Sequence, residues 1–89
     1  MCRNIKVLFN LDPPVSEAEI RDASLQFVRK ISGYQKPSKA NEAAFYAAVE
    51  EIARISSDLL SSLETSAQPK DRQVEAARRK ARAAQRFAR

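Results

Sequence analysis

Apolar residues recur at three- and four-residue steps along most of the chain, which is the signature of amphipathic helices. Ile20, Ala23, Phe27, Val28 and Ile31 form one such stripe. Ser16 and Glu19 in front of it make a capping box, with Val15 and Ile20 at the positions of a hydrophobic staple. Gly33 closes the pattern as the residue that takes a left-handed turn cheaply, and Tyr34 can fold back onto Val28. These signals predict helix 1 over 16–33. Phe45, Val49, Ile52, Ser56, Leu59 and Leu63 then repeat at steps of 4, 3, 4, 3 and 4, close to a heptad seam with one polar seat at Ser56. They predict helix 2 over 38–64, about 40 Å long at ~1.5 Å per residue. Either Ser38 or Asn41 serves as its N-cap.

Pro69 ends that helix. A third is predicted over 71–88, rich in Ala, Arg, Lys, Gln and Glu, all strong helix formers. Its apolar face is thin: Val74, Ala77, Ala81, Ala84 and Ala88, so docking is expected to run through Val74 and Phe87. The segment 1–14 is two-sided. Ile5, Val7, Phe9 and Leu11 alternate as a strand would, while Ile5, Leu8 and Phe9 also fit one helical turn. A strand needs a partner, and no second strand pattern is visible. The favoured reading is a short helix or turn covering the end of the bundle, and the other is pairing with a second copy. Short connections imply antiparallel neighbours. The expected fold is therefore all-α, one domain over 1–89: a small three-helix bundle with an N-terminal covering segment and a basic C-terminal helix.

Composition narrows the chemistry. With no histidine, general base catalysis by imidazole and His-activated nucleophiles are excluded. A single cysteine excludes an internal disulfide and a cysteine cluster for zinc or iron–sulfur. No cofactor or metal is expected. No apolar run approaches the ~20 residues of a membrane span, and the opening residues do not read as a signal peptide. A cytoplasmic protein that makes no membrane contact is expected.

The charge is lopsided. Residues 70–89 hold eight Lys/Arg and two Asp/Glu, a net +6, whereas residues 1–69 hold eight and nine, a net −1. Arg79, Arg82, Arg86 and Arg89 step by 3, 4 and 3, a guanidinium stripe suited to a polyanion. The favoured account of this stripe is solubility, with its arginines paired to Glu42, Glu50, Glu51 or Asp58 on the neighbouring helix. Two other candidates are a reactive thiol at Cys2, beside Arg3 and Lys6, and an anion site at Lys36, Ser38, Lys39 and Asn41, before helix 2. The plainer account of Ser38 and Asn41 is capping.

The segments MCRNIKVLFNLDPP, EIRDASLQFVRKISGYQKPSKANEAAF and DRQVEAARRKARAAQRF cover almost the whole chain. They resemble a small bacterial family, domain of unknown function 2277. The resemblance implies a stand-alone bacterial protein and implies no activity. The function expected is a non-enzymatic helical module that acts by self-association or by binding another protein. The alternatives are nucleic-acid or polyanion binding through the arginine stripe, less favoured, and thiol or redox chemistry at Cys2.

Overall fold

The computed structural model describes residues 5–87 and is mostly helical. In chain order it places β1 (Leu11–Asp12), α1 (Glu17–Ser32), a 3₁₀ turn (Lys39–Asn41), α2 (Glu42–Ser62), β2 (Lys70–Asp71) and α3 (Arg72–Phe87).

Helix α1 begins and ends as its sequence predicts. Ser16 is extended (φ −89°, ψ 161°), and its Oγ accepts from the Glu19 amide at 3.2 Å. The Glu19 carboxylate in turn accepts from the Ser16 amide at 2.9 Å. At the far end Gly33 is left-handed (φ 77°) and donates to the Arg29 carbonyl at 2.9 Å. A β-carbon there would meet nothing within 4 Å, so alanine carries only the conformational penalty. Gly33→Ala is expected to cost about 1 kcal/mol, a fall of about 4–8 °C in Tm for a domain of this size, measurable by circular dichroism.

The entry to α2 uses both predicted caps, but not as caps. Ser38 starts the 3₁₀ turn and accepts from the Asn41 amide through its carbonyl at 2.9 Å. The Asn41 carboxamide donates to Ser38 Oγ at 2.9 Å and to Tyr34 Oη at 3.3 Å. Neither side chain accepts a bond from the first turn of α2. Tyr34 is thus anchored on Asn41.

Helices α1 and α2 run antiparallel and supply the core. Val28 from α1 meets Phe45 and Val49 from α2, with Leu25, Ala48 and Ile52 packed around them. Val49 is fully buried (0 % exposed). Buried Ser24 donates back to the Ile20 carbonyl at 2.8 Å, which satisfies its hydroxyl inside the pair.

Two expectations need correcting. The leading segment is not a helix, and its short strand finds its partner within the same chain. Residues 5–8 adopt no regular structure, and Leu11–Asp12 pair in parallel with Lys70–Asp71 of the same chain. The partner has no strand pattern because two charged residues form it, held by backbone bonds and not by alternating burial. Left-handed Asn10 (φ 59°) organises the junction. Its carbonyl accepts from the Lys70 amide at 2.8 Å, and its Nδ2 donates to the Ala67 and Gln68 carbonyls at 3.3 and 3.2 Å.

The second correction concerns α3. Docking is expected through Val74 and Phe87, yet Val74 is 46 % exposed, and the Phe87 side chain lies outside the described ones. The extensive helix–helix contact is that between α1 and α2, whereas α3 packs beside β2. An alanine face offers little apolar area to bury, so the helix is attached at its first turn and stands away beyond it. The dimensions reflect this. The radius of gyration is 15.7 Å, against about 12 Å for a compact chain of this length.

Candidate functional site

Three features of the described surface carry possible chemistry: an apolar groove, a polar clasp and a cationic helix face. The groove lies between α1 and α2, where the leading segment passes over them. It holds about 370 Å³ and is lined by Leu8, Phe27, Ile52, Ser56, Leu59 and Leu60, among others, with Lys6 at its edge. Its walls are Ile20, Ala23 and Phe27 of α1 opposite Ile52, Ser56 and Leu59 of α2, so it runs where both helices are present. Leu59 is 55 % exposed and Ile55 58 % exposed, and Leu63 is open as well.

The clasp joins the roots of α1, β1 and α3. Arg72 Nη1 donates to Glu19 Oε2 at 2.7 Å, and Nη2 donates to Oε1 at 3.0 Å. Arg72 Nε donates to the Pro13 carbonyl at 2.7 Å. One carboxylate therefore serves the α1 cap and a bidentate guanidinium pair. The hydrogen bond from Arg72, and after it the bond from the Ser16 amide, lower the Glu19 pKa from 4.5 to about 2. The same pairing holds Arg72 more firmly protonated. The sequence marks Glu19 as a capping residue and Arg72 as a flank of the tail. No local pattern joins two residues 53 apart in the chain, and their pairing depends on the fold. Asp71 caps α3 itself, its carboxylate accepting from the Gln73 and Val74 amides at 2.8 and 3.2 Å.

The cationic face belongs to α3. Three of the four acids expected to hold the tail arginines are engaged elsewhere, and the fourth, Glu42, makes no ion pair among the described residues. Glu50 pairs with Arg21 at 2.6 Å, and Arg54 takes Glu51 at 2.9 Å and Asp58 at 3.7 Å. Glu75 pairs with Arg78 inside α3 at 3.3 Å. Arg79, Arg82 and Arg86 are exposed and make no ion pair among the described residues. The expected inter-helix pairs are not made among the described residues, and α2 and α3 share no extensive contact.

The remaining candidates fare differently. Ser38 and Asn41 come together but satisfy each other and Tyr34, while Lys36 and Lys39 stay exposed. Cys2, with Arg3 and Asn4, and Arg89 lie outside the described residues. No helix among the described residues is long and apolar enough to cross a membrane.

A family model described as "Uncharacterized conserved protein (DUF2277)" matches residues 1–78. The chain belongs to that family, as its opening and its Lys36–Asn41 block suggest. The groove and both partners of the clasp fall inside the matched span, and Arg79, Arg82 and Arg86 fall just after it. No curated protein and no solved structure matches the chain.

Proposed function

We propose that this member of the DUF2277 family is a non-enzymatic helical module that works by association with a second copy of itself through the groove between α1 and α2. The observation that carries this reading is surplus surface. The chain exposes 7324 Å², where a compact monomer of 10.0 kDa exposes about 5,200 Å². The excess, about 2,000 Å² for one chain, is larger than the roughly 800 Å² that each partner gives to a standard interface, and the outstanding α3 accounts for part of it. Much of the α1–α2 contribution is apolar and contiguous, running from Phe27 across Leu59 to Leu63. Apolar patches with charge kept at the rim are the pattern of homodimer contacts. A partner covering this strip would extend a core in which Val49 is the one large side chain fully withdrawn from water.

Sedimentation velocity across the micromolar range tests the reading. The expected result is a mass near twice 10.0 kDa. Leu59→Glu is expected to return the protein to monomer, because a carboxylate cannot be desolvated in an apolar seam without a partner. Leu59 is half-exposed in the single chain, so the helical spectrum of this variant should match that of the parent. A parent protein that stays monomeric throughout the range refutes the reading.

A further inference from the structure

We propose that the arginine face of α3 binds double-stranded nucleic acid through its phosphates, independently of base sequence. Of the eight arginines among the described residues, four already have a carboxylate: Arg21, Arg54, Arg72 and Arg78 each form an ion pair, while Arg29 is half-buried on α1. Arg79, Arg82 and Arg86 are different, and they are consecutive on one face. At about 100° per residue they fall within roughly 60° of one another, spread over about 10 Å of helix axis. Glu19, Glu50, Glu51, Asp58 and Glu75 pair with other arginines, and no carboxylate among the described residues pairs with these three.

The form of α3 selects the ligand. Guanidinium forks match phosphate oxygens bidentately. Val74, Ala77, Ala81 and Ala84 on the far side make the helix slim. A slim helix carrying charge on one face can lie along a duplex backbone and meet successive phosphates with that face. The clasp ties α3 to α1 at Arg72, and among the described residues α3 makes no extensive contact with α1 or α2 that would screen Arg79, Arg82 and Arg86. A single strand is a poorer match, since no aromatic side chain lies among the three arginines to stack bases. A membrane surface is also poorer, because an apolar face made of alanine and one valine inserts weakly. Contacts confined to phosphates position a duplex without reading it.

Fluorescence polarisation with a short labelled DNA duplex of mixed sequence, titrated at several salt concentrations, tests the proposal. Three phosphates neutralised by this face add about −3 to the log–log salt slope. The variant Arg79→Ala/Arg82→Ala/Arg86→Ala keeps the best helix former at each site. It is expected to bind about tenfold or more weakly at low salt and to flatten the slope by about 3. Circular dichroism of the variant should match the parent. Lys80→Ala removes a charge roughly 160° round the helix from Arg82 and is expected to change affinity less than about threefold. The proposal is overturned if the duplex does not bind at low salt, or if the triple variant binds as the parent does. It is also overturned if Lys80→Ala costs as much as Arg82→Ala, or if the matching single strand or inorganic polyphosphate binds as tightly as the duplex.

Discussion

Replacing Phe45 by alanine is expected to abolish or nearly abolish the folded α1–α2 pair at 37 °C. Phe45 is 6 % exposed and sits against Val28 and Val49, with the Tyr46 ring edge-on at a centroid distance of 5.1 Å. Truncating a buried phenylalanine costs about 3–5 kcal/mol, from lost transfer free energy and from the cavity left behind. A chain of 89 residues has about 4–13 kcal/mol of stability in total. With few other buried apolar side chains, this core has little with which to fill the gap. A thermal melt followed by circular dichroism should show Tm lowered by at least about 12 °C. Val74→Ala, on the open face of α3, should leave the melt unchanged. A Phe45→Ala protein melting within a few degrees of the parent would mean that the α1–α2 contact is not what holds the fold.

Glu19→Gln should release α3 from α1 while leaving the α1 cap in place. Glutamine can still accept from the Ser16 amide, as either Glu or Gln completes a capping box. What it loses is the charge that Arg72 grips at both oxygens. Amide exchange should therefore quicken at Lys70, whose amide donates to Asn10, and through the first turn of α3. The core amides around Val49 should exchange as before. The pH dependence follows from the sign of the shift. The folded-state pKa of Glu19 lies at about 2, below the ordinary 4.5. The stability it contributes is thus complete above about pH 4.5 and is lost as the pH falls toward 2. Denaturant titrations of parent and Glu19→Gln should differ by a constant amount at neutral pH and converge across that acid window. A constant difference down to pH 2 would place the stabilisation outside the ion pair. Arg72 stays charged throughout and supplies no competing titration.

Much of the local order in this chain is written in short-range chemistry, and the sequence reading survives for α1 and for the body of α2, though not for the side-chain cap of α2. Ser16, Glu19 and Gly33 act within four residues of themselves, and α1 begins and ends where they dictate. The stripe from Phe45 to Leu63 defines α2 because helical periodicity needs no knowledge of the rest of the fold. The break at Pro69 and the cap at Asp71 set the start of α3 in the same way. The groove was half legible. Its α2 wall is the heptad-like seam itself, but the seam does not reveal which α1 residues stand opposite it.

The composition and order of residues alone determined that this is a helical chain with no histidine chemistry, an apolar seam and a cationic end. Only the tertiary structure decided what those parts face. It brought Glu19 to Arg72, paired Leu11–Asp12 with Lys70–Asp71, engaged Glu50, Glu51 and Asp58 with other arginines, and left Arg79, Arg82 and Arg86 to solvent. The physical reason is range. Capping and periodicity are satisfied within a turn or two, whereas an ion pair or a buried face depends on which distant segment arrives, and here a bidentate contact at its root sets α3 apart from the pair it was expected to join.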